Sequence, residues 1–424
     1  MEEPVVVLGS GLNGDVVRIV SLRNSSMQYA LKQIKKRSRS PYALREIELC
    51  LEIDHPHICK IFEVYESRDT VSLVMELCGA GDLYSHLKKE VRFNEITTIL
   101  LTRQILKAVN YLHSIGIVHG DLKLENFVFA RPHVLRLIDF GFAHKKNLPG
   151  PSGGSPLYRA PEPGVSTEQS DMWSVGVIVY MLLTGRVPET TGVVSDLRGN
   201  ACKFVQACLD PNPSTRLTAA AACQHPWILS VDVRKQVPGE ALLQVADLLL
   251  EFSHLKPLRR ACLGLVAMHT SSFGSSLAHV ETIFALMDKN GDGFVRESEL
   301  VDFLQENKGL IPERLRVFAE IDLTGDGRIN FSEFMAATEV FFDAQHSDQS
   351  DWAQRCLPEL VSAVFRKLDV DNSGFISEAN LRSVFGSKGY MGSGAWALMK
   401  EGDFLGDGKI SQQEFAMLVR GGPS

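Results

Sequence analysis

This chain of 424 residues lacks the features of secreted, membrane-spanning and nucleic-acid-binding proteins. Its eight cysteines include no Cys-x-x-Cys pair. Neither a zinc site nor a disulfide framework is therefore indicated, and a reduced intracellular setting fits best. No apolar run approaches the length of a membrane span. The formal net charge of −7 argues against nucleic acid as the main partner.

The first residues do not resemble a signal peptide, and Glu2 stands where N-myristoylation requires a glycine. From the sequence we therefore expect no membrane anchor and a cytoplasmic location, with the nucleus as the alternative. The length exceeds what a single hydrophobic core organises, so two or three domains are expected.

Catalytic chemistry is concentrated in residues 118–141. Asp121, Lys123 and Asn126 form a D-x-K-x-x-N run, and Asp139 opens an Asp-Phe-Gly triplet. Phosphoryl transfer needs a carboxylate that orients the acceptor hydroxyl, together with ligands for magnesium on the phosphates. We expect Asp121 to do the first and Asn126 and Asp139 to do the second. The run resembles the catalytic loop and metal-binding triplet of protein kinases.

The residues before this loop resemble the nucleotide lobe of the same family. Residues 9–14 read G-x-G-x-x-G, which dinucleotide folds share. The β-branched residues 16–20 nevertheless predict a second strand instead of a helix, as in the kinase loop that covers the ATP phosphates. Lys32 resembles the phosphate-binding lysine, and Glu46 its ion-pair partner, with Glu48 as the competitor. The residues that the resemblance assigns to the nucleotide and its magnesium are Gly9, Gly11, Gly14, Val16, Lys32, Glu76, Cys78, Asp82, Asn126 and Asp139.

Kinase landmarks continue to about residue 229, apart from Ser155, which keeps the hydroxyl of the family's acceptor-side threonine, and two larger departures. Residues 76–78 resemble the hinge that binds adenine, and Asp82 would lie at its lip. The first departure is Gly120, where the family has an arginine that collects a phosphate, so phosphorylation-driven switching is not expected. The second is a short connection between residues 185 and 202, which indicates either a trimmed lobe or a missing segment. The chemistry set is complete and consists of Lys32, Glu46, Asp121, Asn126 and Asp139. The implied catalytic residues are Lys32, Glu46, Asp121 and Lys123.

A junction with helical periodicity follows, over residues 239–270. Proline inside a helix costs about 3 kcal/mol, so Pro257 predicts a kink or break near Leu255, or two helices. Residues 252–260 combine apolar and basic side chains, which is typical of an autoinhibitory, calmodulin-target-like helix. The alternative is an ordinary helix that packs on the kinase lobe.

Two segments beyond the junction match the twelve-residue EF-hand loop. The first begins at Asp288, with side-chain oxygens at positions one, three and five and glutamate at position twelve. The second begins at Asp322 and has Thr324 at position three, so it should bind calcium less tightly. Position seven of each loop contributes its backbone carbonyl oxygen. The predicted calcium ligands in these two loops, and in a further loop that begins at Asp403, are Asp288, Asn290, Asp292, Phe294, Glu299, Asp322, Thr324, Asp326, Arg328, Glu333, Asp403, Asp407, Lys409 and Glu414.

Two further loops depart from this pattern. The third begins at Asp369 but ends at Asn380, which offers one neutral oxygen, so weak or no calcium binding is expected. The fourth begins at Asp403 but has Leu405 at position three, and leucine cannot ligate. We expect calcium affinity to fall in the order first, second, fourth, third.

A kinase, a basic and apolar junction and four EF-hands in one chain resemble the calcium-dependent protein kinases of plants and protists. The resemblance implies an α+β protein: a bilobal protein-kinase fold followed by an all-α, calmodulin-like domain of four EF-hands in two lobes. The implied domains are a kinase domain (1–229), an autoinhibitory junction (230–274), a first EF-hand pair (275–342), a linker (343–351) and a second pair (352–424).

The implied function is transfer of the ATP γ-phosphate to serine or threonine of proteins, with ATP, magnesium and calcium as cofactors. Lys123 fits the serine/threonine form of the loop. Asp82 and Glu125 are candidate contacts for basic residues near the phosphosite. Calcium would let the hands bind the junction helix within the same chain and relieve autoinhibition. A monomer is expected. The alternative is a calcium-responsive scaffold with weak or no kinase activity.

Overall fold

The structure is a computed structural model that describes residues 6–11, 14–22, 27–36, 41–148, 150–151, 153–188, 196–269, 279–309, 314–345, 354, 356–385 and 395–421. They divide into two units, one formed mainly by residues up to Val233 and the other mainly by residues from Arg234 onward. Most of the predicted linker 343–351, and residues 270–274 of the junction, lie outside the described residues. The finer boundaries drawn from the sequence stay predictions.

β-Branched and apolar residues in the first unit form an antiparallel five-stranded sheet with the order β1-β2-β3-β5-β4. Its strands are β1 (Val7–Gly11), β2 (Gly14–Val20), β3 (Gln28–Lys35), β4 (Ile61–Glu66) and β5 (Thr70–Glu76). A strand and not a helix follows the glycine motif, as predicted. Helix α1 (Pro41–Glu52) contributes Ile47 to a small core with Ile34, Val71 and Leu73 of the sheet.

Helices make up most of the rest of this unit. They are α2 (Leu83–Glu90), α3 (Glu95–Ser114), α4 (Glu168–Thr184), α5 (Gly199–Cys208), α6 (Ala219–Cys223) and α7 (Pro226–Leu229). Short strand pairs hold the catalytic stretch: β6 (Ile117–Val118) with β9 (His144–Lys145), and β7 (Phe127–Arg131) with β8 (Val134–Leu137). Every residue of α4 from Asp171 to Leu182 is buried, which is typical of a core helix.

The second unit begins with two helices, α8 (Gly239–Ser253) and α9 (Pro257–Ala267), so the break predicted before Pro257 is present. The EF-hand helices that follow are α10 (Val280–Met287), α11 (Glu297–Lys308), α12 (Arg314–Ile321), α13 (Phe331–Met335), α14 (Phe341–Gln345), α15 (Leu357–Leu368), α16 (Glu378–Phe385), α17 (Ala395–Gly402) and α18 (Gln412–Arg420). A π-helical turn, Ala336–Val340, joins α13 to α14.

Short antiparallel contacts join the calcium loops in pairs. Val295 and Ile329 exchange two backbone hydrogen bonds of 2.9 Å between the first and second loops. Strand β10 (Phe375–Ile376) pairs with β11 (Ile410–Ser411) between the third and fourth. This arrangement confirms the predicted fold class. Among the described helices, none is both long enough and apolar enough to cross a bilayer.

Candidate functional site

Lys32 forms an ion pair with Glu46 inside the first unit. β3 alternates buried and exposed residues, which turns Lys32 inward, and only 2% of Glu46 is exposed. Lys32 Nζ lies 2.6 Å from Glu46 Oε1 and 3.2 Å from Asp139 Oδ1. Burial alone would lower the pKa of Lys32, but the two carboxylates outweigh burial and raise that pKa. Glu48, the competing candidate, is exposed, so the ion pair belongs to Glu46.

Asp139 combines its contact to Lys32 with access from solvent. Its side chain is 44% exposed, and its backbone adopts a positive φ of 64°, a strained conformation for a residue other than glycine. Burial would raise the pKa of Asp139, but Lys32 holds that pKa below its usual range. An ionised and accessible carboxylate oxygen is a ligand that suits magnesium.

Both carboxylate oxygens of Asp121 are engaged. Oδ1 accepts a hydrogen bond of 2.7 Å from the Ser155 backbone N–H, and Oδ2 lies 2.6 Å from Lys123 Nζ. The same ammonium donates to Ser155 Oγ at 3.2 Å. Asn126 Nδ2 donates to the Asp121 backbone carbonyl at 2.8 Å, which leaves the amide oxygen of Asn126 for a cation. The structure thus brings the predicted catalytic-loop residues together.

Asp171 anchors the start of the catalytic loop. It is 2% exposed and accepts hydrogen bonds of 2.9 Å from the backbone N–H groups of His119 and Gly120, and it lies 3.0 Å from His113 Nε2. Burial would raise the pKa of Asp171, but the His113 contact holds that pKa below its usual range. Gly120 has a φ of 77°, and a Cβ there would lie 3.0 Å from the Phe142 carbonyl oxygen. The glycine avoids the strain of this left-handed conformation.

The glycine motif closes the hairpin between β1 and β2. Gly11 pairs with Gly14, while residues 12–13 lie outside the described residues. Gly14 has a φ of 133°, and a Cβ there would lie 2.1 Å from the Gln33 carbonyl oxygen, so only glycine fits. The other two predicted residues of this loop, Gly9 and Val16, are cross-strand partners.

The predicted adenine hinge leaves β5 at Glu76. The Glu76 carboxylate is committed to Arg136, whose Nε lies 3.1 Å from Oε1 and 3.0 Å from Oε2. The Glu76 backbone N–H donates to the Lys60 carbonyl at 2.9 Å, and adenine binding by residues 76–78 stays a prediction. No sequence pattern predicts this ion pair, because sixty positions separate the partners. Asp82 caps α2, and its carboxylate accepts from Ser85 N at 2.8 Å and from Ser85 Oγ at 2.7 Å.

A bidentate ion pair holds the end of the segment that follows Asp139. Arg216 Nη1 and Nη2 donate to Glu162 Oε1 and Oε2 at 2.6 and 2.8 Å. Between α4 and α5, residues 189–195 of the short connection lie outside the described residues. A cavity of about 850 Å³ lies beside this connection and is lined in part by Phe93 and Leu197.

Three of the four calcium loops end in a buried glutamate that is held in the same way. Glu299, Glu333 and Glu414 are 8%, 2% and 2% exposed. Each accepts a hydrogen bond of 2.9 Å from the backbone N–H three residues earlier, and another of 2.7–2.9 Å from an N–H near the loop start. Burial raises the pKa of Glu333 to about 7, because desolvation disfavours the carboxylate. Calcium would offset that penalty, so the oxygen donors fit this ion.

The fourth loop keeps its shape despite Leu405. Asp403 accepts backbone hydrogen bonds of 2.7, 3.1 and 2.9 Å from the N–H groups at loop positions four, five and six. Asp322 is bonded in the same way in the second loop. Leu405 is 78% exposed and therefore does not fill the space among the loop oxygens. A water molecule can take the place of the missing ligand.

The third loop is closed by its own amide. Asn380 is 4% exposed, and its Oδ1 accepts a hydrogen bond of 2.8 Å from the Ser377 backbone N–H, as the glutamates do elsewhere. Its Nδ2 donates to Asp371 Oδ1 at 3.4 Å. Asp369 accepts hydrogen bonds from the N–H groups of Ser373 and Gly374 at 2.9 and 2.8 Å. The amide therefore contacts a carboxylate that would otherwise bind calcium.

EF-hand helices enclose the junction helix α9. Eight of its eleven residues are buried. A Cβ at Gly264 would lie 2.6 Å from Cδ1 of Leu323 in the second calcium loop. The backbone N–H of Leu258 donates to Glu401 Oε2, at the end of α17, at 2.8 Å. Both EF-hand pairs therefore contact α9.

Comparisons with known families agree with this geometry. The profile described as "Protein kinase domain" matches residues 3–228. The profile "EF-hand domain pair" matches residues 277–339, and the profile "EF hand" matches residues 360–385. The kinase match implies the use of ATP and magnesium, and the EF-hand matches imply calcium binding.

Curated relatives match across nearly the whole chain. Calcium-dependent protein kinase 3 of Plasmodium berghei is 28% identical over 458 residues, which cover 99% of this chain and 79% of the relative. Calcium-dependent protein kinase 7 of Arabidopsis thaliana is 30% identical over 439 residues, with 94% and 79% covered. Calcium-dependent protein kinase 10 of Arabidopsis thaliana is 30% identical over 458 residues, with 98% and 80% covered. The chain therefore belongs to the calcium-dependent protein kinase family and is a calcium-regulated protein kinase.

Proposed function

We propose that this kinase transfers the ATP γ-phosphate to serine or threonine of protein substrates, and that calcium on its own EF-hands releases it from inhibition by α9. The observation that carries the acceptor preference is the Lys123 ammonium, which contacts both Asp121 Oδ2 at 2.6 Å and Ser155 Oγ at 3.2 Å. The lysine is placed to steady the catalytic carboxylate and the acceptor side of the site together. The fully assembled catalytic residues favour the enzyme over a scaffold.

The chain's own residues divide the work of phosphoryl transfer. Asp121 accepts the hydrogen bond of the substrate hydroxyl and orients it towards the γ-phosphate. Lys32, positioned by Glu46, binds the α- and β-phosphates. Asn126 and Asp139 would hold magnesium, which neutralises charge on the phosphates. Backbone N–H groups of the glycine motif would cover the phosphates.

We further propose that Glu125 selects substrates with basic residues near the phosphosite. Glu125 is exposed, and its Oε2 accepts a hydrogen bond from the Tyr158 hydroxyl at 3.4 Å, which is a long contact. Asp82 is a weaker candidate because Ser85 already occupies both of its carboxylate oxygens. A guanidinium can form a bidentate pair with a carboxylate that is not already committed.

The burial of α9 supports a switch between two exclusive states. A helix with eight of eleven residues buried among the EF-hands has no apolar face left for a second partner. Arg260 is 8% exposed and pairs with Glu320 of α12, so even its charge is satisfied within this unit. The EF-hands must therefore release α9 before α9 can inhibit the catalytic lobe. Calcium would favour the state in which the EF-hands enclose α9. On the same proposal the protein acts as a monomer in the cytoplasm or nucleus.

The test is phosphorylation of matched peptides by the full-length protein with ATP, magnesium and saturating calcium. One set of peptides differs only in the acceptor, which is serine, threonine or tyrosine, and tests the acceptor preference. A second set differs only in whether arginine or alanine precedes the acceptor, and tests the preference for basic residues. We expect phosphorylation of serine and threonine, and a KM for the arginine peptide that rises in Glu125→Gln. Equal use of tyrosine would contradict the acceptor preference, and an unchanged KM in Glu125→Gln would contradict the role of Glu125.

A further inference from the structure

Two thiols and a carboxylate converge beside the predicted adenine hinge. One sulfur or oxygen atom from each of Cys59, Glu76 and Cys78 lies within 4.8 Å of the others. Antiparallel pairing explains the convergence: Cys59 lies just before β4, Glu76 ends β5, and the Glu76 backbone N–H donates to the Lys60 carbonyl at 2.9 Å. The eighteen residues between the two cysteines hide this cluster from motif searches, which rely on closely spaced pairs.

The donor atoms suit a thiophilic divalent cation. Zinc binds thiolate sulfur at about 2.3 Å and carboxylate oxygen at about 2.0–2.2 Å, usually in a tetrahedron. Two sulfurs on such an ion stand roughly 3.8 Å apart, and the three atoms here lie within 4.8 Å of one another, so coordination needs a movement of at most about an ångström. Both cysteines are half-buried, which leaves a route for an ion, and Glu76 is 3% exposed, which fixes its position.

The charges also balance. Glu76 and Arg136 already neutralise each other through contacts of 3.0 and 3.1 Å. A divalent cation that displaces the two thiol protons adds two positive and two negative charges, so no net charge is buried. Arg136 also orients the carboxylate, and ligand carboxylates are commonly held by such partners.

We propose that Cys59, Cys78 and Glu76 bind a zinc-like divalent cation, and that this cation and the nucleotide exclude each other. Coordination draws Cys78 towards β4 and so displaces the backbone that adenine would contact. The proposed metal site depends only on the convergence of the Cys59, Glu76 and Cys78 side chains. The exclusion of nucleotide rests on the proposed use of residues 76–78 as the hinge.

Cadmium titration of the full-length, fully reduced protein tests the site directly. Sulfur-to-cadmium charge transfer gives an ultraviolet band that the oxygen ligands of the EF-hands cannot produce, and excess calcium occupies those hands. We expect the band to saturate at a single equivalent in the wild type and in Cys202→Ser, the control for a cysteine elsewhere in this unit. Cys59→Ser and Cys78→Ser should each weaken binding at least about 100-fold, the upper end of what a lost outer partner costs.

A missing band in protein whose thiols are all reduced, or a band that survives both substitutions, would overturn the metal site. A second readout is binding of a fluorescent ATP analogue with and without zinc. We expect zinc to weaken that binding at least about tenfold in the wild type and to have no effect in Cys78→Ser. A band with unchanged nucleotide affinity would refute the exclusion alone. Protein that binds no nucleotide under any condition would count against the proposed kinase function, since the band needs no nucleotide.

Discussion

Replacing Asn380 by glutamate should turn the third EF-hand into a calcium site. The backbone already suits the change, because Asn380 Oδ1 accepts the Ser377 N–H at 2.8 Å, where the glutamates of the other loops accept theirs at 2.9 Å. The substitution adds one methylene and one negative charge. It gives up only the 3.4 Å contact from the amide to Asp371, which is too long to be strong.

The electrostatic gain can be sized. A carboxylate about 2.4 Å from a divalent cation gains of order 10 kcal/mol at an effective dielectric constant of about 20. If desolvation of the carboxylate offsets about three quarters of this, roughly 3 kcal/mol is left, which corresponds to about a hundredfold in Kd. Without calcium, the new carboxylate repels Asp371, so the same substitution lowers the stability of the calcium-free hand.

Calorimetric titration of the full-length protein with calcium measures the gain in binding through the number of sites and their affinities. Asn380→Gln is the matched control, since it adds the methylene without the charge. We expect one additional site of high affinity in Asn380→Glu and no additional site in Asn380→Gln. Equal stoichiometry in the two variants would show that the charge at position twelve is not what limits the third hand.

Three further predictions follow from single residues. Asp121→Asn should lower kcat by about 10²–10⁴ in the peptide assay and leave ATP affinity unchanged. Asp171→Ala leaves three buried or partly buried donors without an acceptor at roughly 1–3 kcal/mol each, so urea denaturation should show a loss of about 4 kcal/mol. Because the pKa of Asp171 is lowered in the folded protein, the stability that its carboxylate contributes is lost as the pH falls. The difference in free energy of unfolding between the wild type and Asp171→Ala should therefore narrow below about pH 4. Leu405→Asp should tighten the fourth calcium site about tenfold or more, in the same calorimetric titration.

Features set by local spacing could be predicted from the sequence. The pairing of β1 with β2, the break before Pro257 and the calcium loops depend on neighbouring residues and on strand and helix geometry. The choice of Glu46 over Glu48 follows from helix geometry too, since a single face of α1 can meet Lys32. These elements therefore lie where the patterns indicated.

Features set by tertiary packing could not be predicted. The Glu76–Arg136 pair, the hydrogen bonds that Asp171 accepts and the convergence of Cys59 with Cys78 each join residues far apart in the sequence. The composition of α9 does not predict that the EF-hands enclose it, because a basic and apolar helix can pack against either a catalytic lobe or a set of EF-hands. Which partner encloses it depends on packing across the second unit.

The most direct test of the central claim is the initial rate of peptide phosphorylation by the full-length protein, measured in chelator and across a calcium titration. The double substitution Glu299→Gln and Glu333→Gln serves as the sensor-impaired control. The tethered switch predicts low activity in chelator, a steep rise with calcium in the wild type, and a rise displaced to higher calcium in the double variant. Full activity of the wild type in chelator would contradict it.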